Sequence, residues 1–296
     1  YDILRKISSN SELNFDLKTE NKLSLKSKNS DFNLLCLPTD NFPTFADEFE
    51  DPEISLNSKN FLKLLNKTKI AISNDDTRHY LNGVFLHLTE VHGRNFLTGV
   101  ATDSHRLSSS SVEIENTNNF SSLILPRKAV YQLCSLLSES NEKFSMQTSE
   151  NKVKFNLGSI KLISKVIDGK FPDYKKVVPN DNKKFLVVPS KDFINSIERV
   201  ASVSLDRKEG VKLSINKENI QLSVNSVSSG EGNEIIKADF NSDNFNISFN
   251  SKYLIDIISE VEDRNLKMNL KDSVSPVLIE DASDKNSYYV IMPMKI

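Results

Sequence analysis

Apolar and polar positions along the chain repeat one pattern: an alternating strand, a short stop, a cation, then an amphipathic stretch. Four segments carry it. They read Ile54-Ser55-Leu56-Asn57-Ser58-Lys59-Asn60-Phe61-Leu62, Leu123-Ile124-Leu125-Pro126-Arg127-Lys128-Ala129-Val130, Val187-Val188-Pro189-Ser190-Lys191-Asp192-Phe193-Ile194 and Ile247-Ser248-Phe249-Asn250-Ser251-Lys252-Tyr253-Leu254-Ile255. The stops lie roughly 60 to 70 residues apart, too far for a solenoid unit. Ser58, Ser190 and Ser251 are expected to cap helices, and Pro126 to take a first helical position. Behind them, Phe193, Ile194, Ile197, Val200 and Ala201 form one helical stripe, and Leu254, Ile257, Ile258 and Val261 another.

Strand-like runs follow each helix: Val211–Ile215, Ile220–Val224 and Glu234–Phe240 after Ser190, then Leu266–Leu270, Val277–Ile279 and Tyr288–Met292 after Ser251. The unit is thus strand–helix–strand–strand–strand, an α+β arrangement with two units to a domain. Similar connectors, Asp40-Asn41-Phe42-Pro43 and Asp168-Gly169-Lys170-Phe171-Pro172, stand where one pair of units hands over to the next. The expected domains are 1–51, 52–180 and 181–296. One period back from Leu62 falls on Tyr1, and no Met opens the chain, so the first domain is expected to lack its first half.

The 296 residues carry a formal net charge of −2, which predicts no overall attraction to nucleic acid or anionic membranes but leaves room for a local basic surface. No apolar run is long enough to span a membrane, and the start lacks the layout of a signal peptide. Cys36 and Cys134 stand apart in apolar surroundings, which argues against zinc or redox chemistry. Neither GxGxxG nor GxxxxGK[ST] occurs, so no cofactor is expected.

Four stretches hold the candidate chemistry. Val100-Ala101-Thr102-Asp103-Ser104-His105-Arg106-Leu107 sets polar residues between two apolar strands. A hydrolase would need Asp103, Ser104 and His105 to converge, which neighbouring residues rarely do, and no glycine elbow surrounds the serine. A turn held by Asp and Thr hydrogen bonds is the plainer alternative. The end, Tyr289-Val290-Ile291-Met292-Pro293-Met294-Lys295-Ile296, is either core or the floor of an exposed groove, with core slightly favoured. Helix Ser58–Lys69 carries Lys59, Lys63, Lys67 and Lys69 without an acid, which suits a solvated face or phosphate contact. Cations recur at the other helix starts, and Arg78-His79-Tyr80 joins a cation to two rings, a mix suited to stacking on nucleic acid.

Together these segments resemble the bacterial sliding clamps, the β subunits of DNA polymerase III. The likeness rests on Ala101–Leu107 (Ser104 standing for the family's Gly), Arg78–Gly83, Leu125–Lys128, Asp168–Tyr174, Asp272–Val277 and Met292–Met294, in family order along essentially the whole chain. It implies a DNA-clamp fold, with helices on the inner face of a ring and antiparallel sheets outside. Such a ring is a head-to-tail homodimer that encircles duplex DNA as a processivity factor and is no enzyme itself. Implied partners are the polymerase III α subunit, an ATP-driven clamp loader and other clamp-motif proteins, in the cytoplasm at the nucleoid and without a membrane.

Position by position, the resemblance implies a peptide pocket of Leu81, Thr102, Ser104, His105, Arg106, Leu107, Pro172, Lys176 and Val177. Asn250, Tyr253, Val274, Pro276, Val290, Met292, Pro293 and Met294 complete it. Lys59, Lys63, Arg78, His79, Tyr80, Arg127 and Lys128 are the implied DNA contacts. Phe32 meeting the Val203 region of a partner is the implied dimer contact, which the short first domain is expected to close poorly. Ser104 is expected to need a backbone conformation that Gly tolerates better. His79 replaces a common Tyr, and Lys176 and Lys295 replace Arg, losing a forked donor. A non-DNA oligomeric scaffold is the rival to the clamp.

Overall fold

The computed structural model describes residues 1–42, 49, 52–115, 120–139, 142–204 and 210–295. Pro43, Asp51 and Ile296, which enter the connector, the domain boundary and the tail above, lie outside the described residues. Two compact units result, Tyr1–Glu48 and Phe49–Ile296. The first holds helix α1 (Asp2–Lys6) and strands β1 (Asn14–Thr19), β2 (Lys22–Ser27) and β3 (Ser30–Leu35), an antiparallel sheet in the order β1-β2-β3. Its register sets Phe15 beside Leu25 beside Phe32, and Leu17 beside Leu23 beside Leu34, so one face is apolar.

The second unit contains the full repeat four times. The copies are β4 (Ile54–Asn57), α2 (Ser58–Lys69), β5 (Gly83–Val91), β6 (Arg94–Thr102), β7 (Arg106–Glu113); β8 (Leu123–Pro126), α3 (Arg127–Ser138), β9 (Lys143–Thr148), β10 (Lys152–Leu157), β11 (Ile160–Lys165); β12 (Lys184–Pro189), α4 (Ser190–Ala201), β13 (Gly210–Ile215), β14 (Asn219–Ser226), β15 (Gly230–Lys237); and, after the short β16 (Asp239–Phe240), β17 (Phe245–Asn250), α5 (Ser251–Ser259), β18 (Asn265–Leu270), β19 (Val277–Glu280), β20 (Ser287–Ile291). Among the described residues the strands order as β11-β10-β9-β4, as β16-β12-β18-β19-β20-β7-β6-β5-β8 and as β15-β14-β13-β17.

The topology explains why copies come in pairs. Each copy's opening strand joins its sister's three-stranded meander: β4 pairs β9, β8 pairs β5, β12 pairs β18 and β17 pairs β13. Neither sister can complete its sheet alone. One apolar cluster collects Phe61, Leu64, Leu97, Leu133 and Phe155, and another Phe193, Leu213, Phe249, Leu266 and Ile279. The expected strand Glu234–Phe240 is in fact two, β15 and β16. The chain changes sheets at the buried Ala238, whose N–H donates to the Glu218 carbonyl, and β16 continues on β12.

The stop residues do a different job from the one expected. Asn57 and Asn250 are the caps, their Oδ1 atoms accepting from the N–H groups of Asn60 and Tyr253, each at 3.1 Å. Ser58, Ser190 and Ser251 occupy the first helical turn position instead, and Pro126 precedes the helix rather than starting it. The Ser58 and Ser190 hydroxyls donate to the carbonyls of Glu142 and Asp263, just ahead of the sister strands β9 and β18. Helix starts are thereby bonded to the sister copy.

The two pairs of copies meet at β7 and β20, antiparallel with Ser110 opposite Ser287 and Leu107 opposite Val290. Ser108, Ser109 and Ser110 are buried along this seam, with Ser110 and Ser287 hydroxyls 2.9 Å apart. Beside it, Lys67 of α2 is 2% exposed, its Nζ 3.2 Å from Asp281, 2.9 Å from Asp284 and 3.5 Å from Glu262. Burial would raise the Asp284 carboxyl, but hydrogen bonds from Lys67 and Lys63 override it and hold the group at about 2.

Candidate functional site

Between β6 and β7 the chain turns on Asp103. Its Oδ1 accepts from the N–H groups of His105 and Arg106, and its Oδ2 from Arg106 Nε, all at 3.0 Å. Thr102 Oγ1 donates to the Arg106 carbonyl at 2.7 Å. Ser104 holds φ at +78°, the left-handed conformation expected from the Gly it replaces, and its hydroxyl accepts from Arg78 Nη1 at 2.5 Å. These bonds dismiss the hydrolase alternative. Asp103 is spent on the turn rather than on the His105 ring, which stacks on Tyr253 at 6.2 Å. Arg106 passes beneath, with Nη1 2.7 Å from Asp256 and its guanidinium 4.3 Å from the Tyr253 ring centre.

On one side of this turn lies a cavity of about 290 Å³, lined by Leu81, Thr102, Ser104, His105, Arg106, Leu107, Pro172, Val177, Val290 and Met292. All ten belong to the expected pocket. Tyr80 and Tyr174 line it too. Tyr80, expected to stack on nucleic acid beside His79, packs instead into the cluster of Leu81, Phe171 and Val290 behind the cavity. Gly169 makes the approach possible: at φ +151°, any Cβ there would meet the Tyr80 Cβ at 3.0 Å.

Seven expected pocket residues do not line this cavity. Asn250 and Tyr253 line a neighbouring cleft of about 860 Å³ that shares His105 and Arg106. Lys176 is exposed and paired with Asp173, Val274 is 59% exposed, and the Pro276 carbonyl accepts from Asn182. Pro293 and Met294 follow Met292 past the end of β20. The tail divides at that point. Ile291 is fully buried, while Met292 is 38% exposed and enters the cavity, so the slight preference for core holds only through Ile291. The Met292 N–H donates to the His105 carbonyl at 2.8 Å and that of Met294 to the Ser248 carbonyl at 2.7 Å, anchoring the tail on both sides.

Lys59, Lys128, Lys191 and Lys252 each take the second position of their helix, and all are exposed. A cation there opposes the helix dipole, so helix stability does not account for the repetition. The basic face expected on α2 needs correcting. Lys67 is buried, and Lys63 is paired with Glu262 and Asp284, each at 3.1 Å. Lys59 has no ion pair among the described residues. Arg78 is held by Asp75 at 2.9 Å as well as by Ser104, and His79 Nε2 lies 3.1 Å from the Asp168 carbonyl. Arg127 borders the larger cleft. Phe32 is half-buried on the edge strand β3. Val203 packs against the core just beyond α4, and residues 205–209 after it lie outside the described set.

Residues 55–173 match the profile of the central domain of the DNA polymerase III beta subunit, and residues 175–295 that of its C-terminal domain. The chain belongs to the bacterial sliding-clamp family. The beta sliding clamp of Caulobacter vibrioides is 33% identical over 298 residues, covering 100% of this chain and 80% of that protein. That of Escherichia coli K12 is 32% identical over 296 residues with the same coverage. Among solved structures, the sliding clamp of Bartonella birtlesii bound to griselimycin has a TM-score of 0.94 at 36% identity, covering 100% of this chain and 80% of that one. A Caulobacter crescentus clamp reaches 0.95 at 33% identity, covering 100% and 79%. The α+β clamp fold and the function of a non-catalytic processivity factor follow from this membership. So do DNA and a polymerase as partners and a dimeric ring as the assembly. Among the described residues no helix is long and apolar enough to cross a membrane.

Proposed function

We propose that partners of this clamp, the polymerase III α subunit and clamp loader among them, dock a short linear peptide in the 290 Å³ cavity. What carries the reading is the cavity's make-up. Leu81, Leu107, Pro172, Val177, Val290 and Met292 offer apolar walls for leucine or phenylalanine side chains, and Ser104, His105 and Arg106 offer polar groups at the mouth. Val274, Pro276, Asn250, Tyr253, Lys176, Pro293 and Met294 would extend the contact beyond the cavity.

DNA contact is assigned to the repeated lysines at the second helical position, Lys59 and Lys128 foremost, with Arg127 and His79 beside them. Lysine next to free helix N–H groups suits phosphate without reading bases, as sliding requires. Lys59→Ala combined with Lys128→Ala is expected to reduce the salt slope of duplex binding by up to about two units, whereas Lys63→Ala leaves it unchanged. Fluorescence anisotropy against salt concentration measures both.

Domains of 52–180 and 181–296 fit this reading, each a pair of interlocked copies. The β7–β20 seam suggests how protomers join, since it pairs the last strand of a first copy with that of a second. The same rule joins β15 of one protomer to β3 of the next, bringing Val203 and Phe32 to the interface. The setting is the cytoplasm, at the nucleoid. Loading the full-length protein on nicked circular DNA tests the whole: linearising the circle is expected to release it within minutes, whereas retention on cut DNA would favour an ordinary binder or scaffold.

A further inference from the structure

Side chains alternate along β5. Val84 and Leu86 enter the core, while Phe85 and His87 face the connector that runs from Asp168 to Tyr174. Three rings stack there. Phe85 lies on Phe171 at 4.9 Å and 7°, and His87 lies on Phe85 at 4.8 Å and 24°. Phe171 is buried directly behind Pro172, a wall residue of the cavity. His87 also reaches the wall itself, with Nε2 3.0 Å from the Tyr174 hydroxyl.

The bonding fixes the tautomer of the neutral imidazole. Nδ1 lies 3.0 Å from the Leu88 carbonyl, which can only accept, so Nδ1 carries the hydrogen. In the neutral ring Nε2 is then a lone pair that accepts from the Tyr174 O–H. That hydroxyl has no other hydrogen-bond partner among the described residues. Tyr174, Pro172 and Val177 form one side of the cavity, so a residue that never touches its contents holds that side in place.

We propose that His87 is a positioning residue of the peptide pocket, its neutral ring fixing Tyr174 and, through Phe85 and Phe171, the Pro172 wall, so that peptide affinity follows its protonation. This rests on the reading that the cavity takes a peptide. The groups facing the ring are few. Among the described residues, Tyr174 and Lys175 come from the 3-10 turn Tyr174–Val177, Thr98 stands opposite on β6, and Lys175 is the charged one. Burial lowers the His87 imidazole below its ordinary range, the Leu88 carbonyl opposes this, and Lys175 adds to it. The sign follows. The neutral ring and its support of Tyr174 persist above the ordinary value and are lost as pH falls through the lower, folded one. Once both nitrogens donate, Nε2–H can only donate to the Tyr174 oxygen, and the Tyr174 O–H is left without an acceptor among the described residues. A charged ring then sits half-buried near Lys175, so the wall loosens.

Calorimetry with a short peptide containing glutamine, leucine and phenylalanine tests this. At pH 7.5, His87→Leu and Tyr174→Phe are each expected to bind about fivefold more weakly, and the double variant no more weakly than either. His87→Gln keeps an acceptor for Tyr174 and should stay within about twofold of the unsubstituted protein. Between pH 6.5 and 5 the unsubstituted protein should weaken more steeply than His87→Gln. His105, which lines the cavity, is present in both proteins, so its contribution cancels in the comparison. Additive losses, undiminished binding by His87→Leu, or superimposable pH profiles would each overturn the proposal. Should the unsubstituted protein fail to bind the peptide at all, the pocket reading falls first and takes this inference with it.

Discussion

Lys67→Ala is expected to destabilise the 49–296 unit by about 3–5 kcal/mol, the cost of leaving Asp281 without its cation and Asp284 with only the more exposed Lys63. Asp281 has a fully buried side chain and Asp284 a nearly buried one, and both lie beyond β19, whereas Lys67 is on α2. The substitution therefore acts across the junction of the two halves. Urea unfolding should show a lower midpoint with an unchanged slope. Amide hydrogen exchange should rise first along the β7–β20 seam, at Ser108–Ser110 and Ser287–Tyr289. Lys67→Met should be nearly as costly, because it restores bulk but not charge. Adding Asp281→Asn and Asp284→Asn should recover most of the loss, since the amides need no counterion. A loss under about 1 kcal/mol for Lys67→Ala would mean that water reaches the carboxylates freely.

This cluster also marks where sequence reasoning stops. Spacing places Lys59, Lys63 and Lys67 on one helical face, and that is correct as geometry. It cannot say that the acids they meet lie some two hundred positions further along the chain, so a face that reads as solvated or phosphate-bound is partly an internal ion pair. Ser108–Ser111 misleads in the same way. Four serines in a row carry no local signal of burial, yet three are buried where β20 closes on β7. What was legible is whatever repeats locally. The strand, stop and helix of every copy stand close to where the alternation and the 3.6-residue stripe put them; the break at Ala238, the capping residues and the end of α5 at Ser259, short of the expected Val261, differ. In the site, the Ala101–Leu107 turn and the tail were visible as anomalies in composition. Their convergence came from the family likeness, not from spacing. Tyr174 and His87 went unremarked because their importance depends on a connector folding back over β5, which no local pattern signals.

Removing Met292–Ile296 is expected to weaken peptide binding by about a hundredfold while shifting the melting temperature by no more than about 3 °C. The two effects separate because the tail changes role at one residue. Ile291 is the last fully buried side chain among the described residues and the last residue of β20, so the sheet and its core survive the deletion. Met292 follows it and lines the cavity beside Val290, which the deletion keeps, and its N–H is tied to the His105 carbonyl of the turn opposite. Losing it removes a flexible apolar wall, about 1.5–3 kcal/mol when covered by a ligand, and unpins the turn that supplies Ser104, His105 and Arg106. A shorter deletion, of Pro293–Ile296, keeps the Met292 side chain but gives up the Met294 N–H bond to Ser248. It should lose only about tenfold, an anchoring effect without loss of the wall. Calorimetry with the same peptide and thermal unfolding of both truncations decide the matter. Equal losses for the two would assign the binding to the tail's outer residues rather than to Met292, and unchanged affinity for the longer deletion would remove the tail from the site altogether.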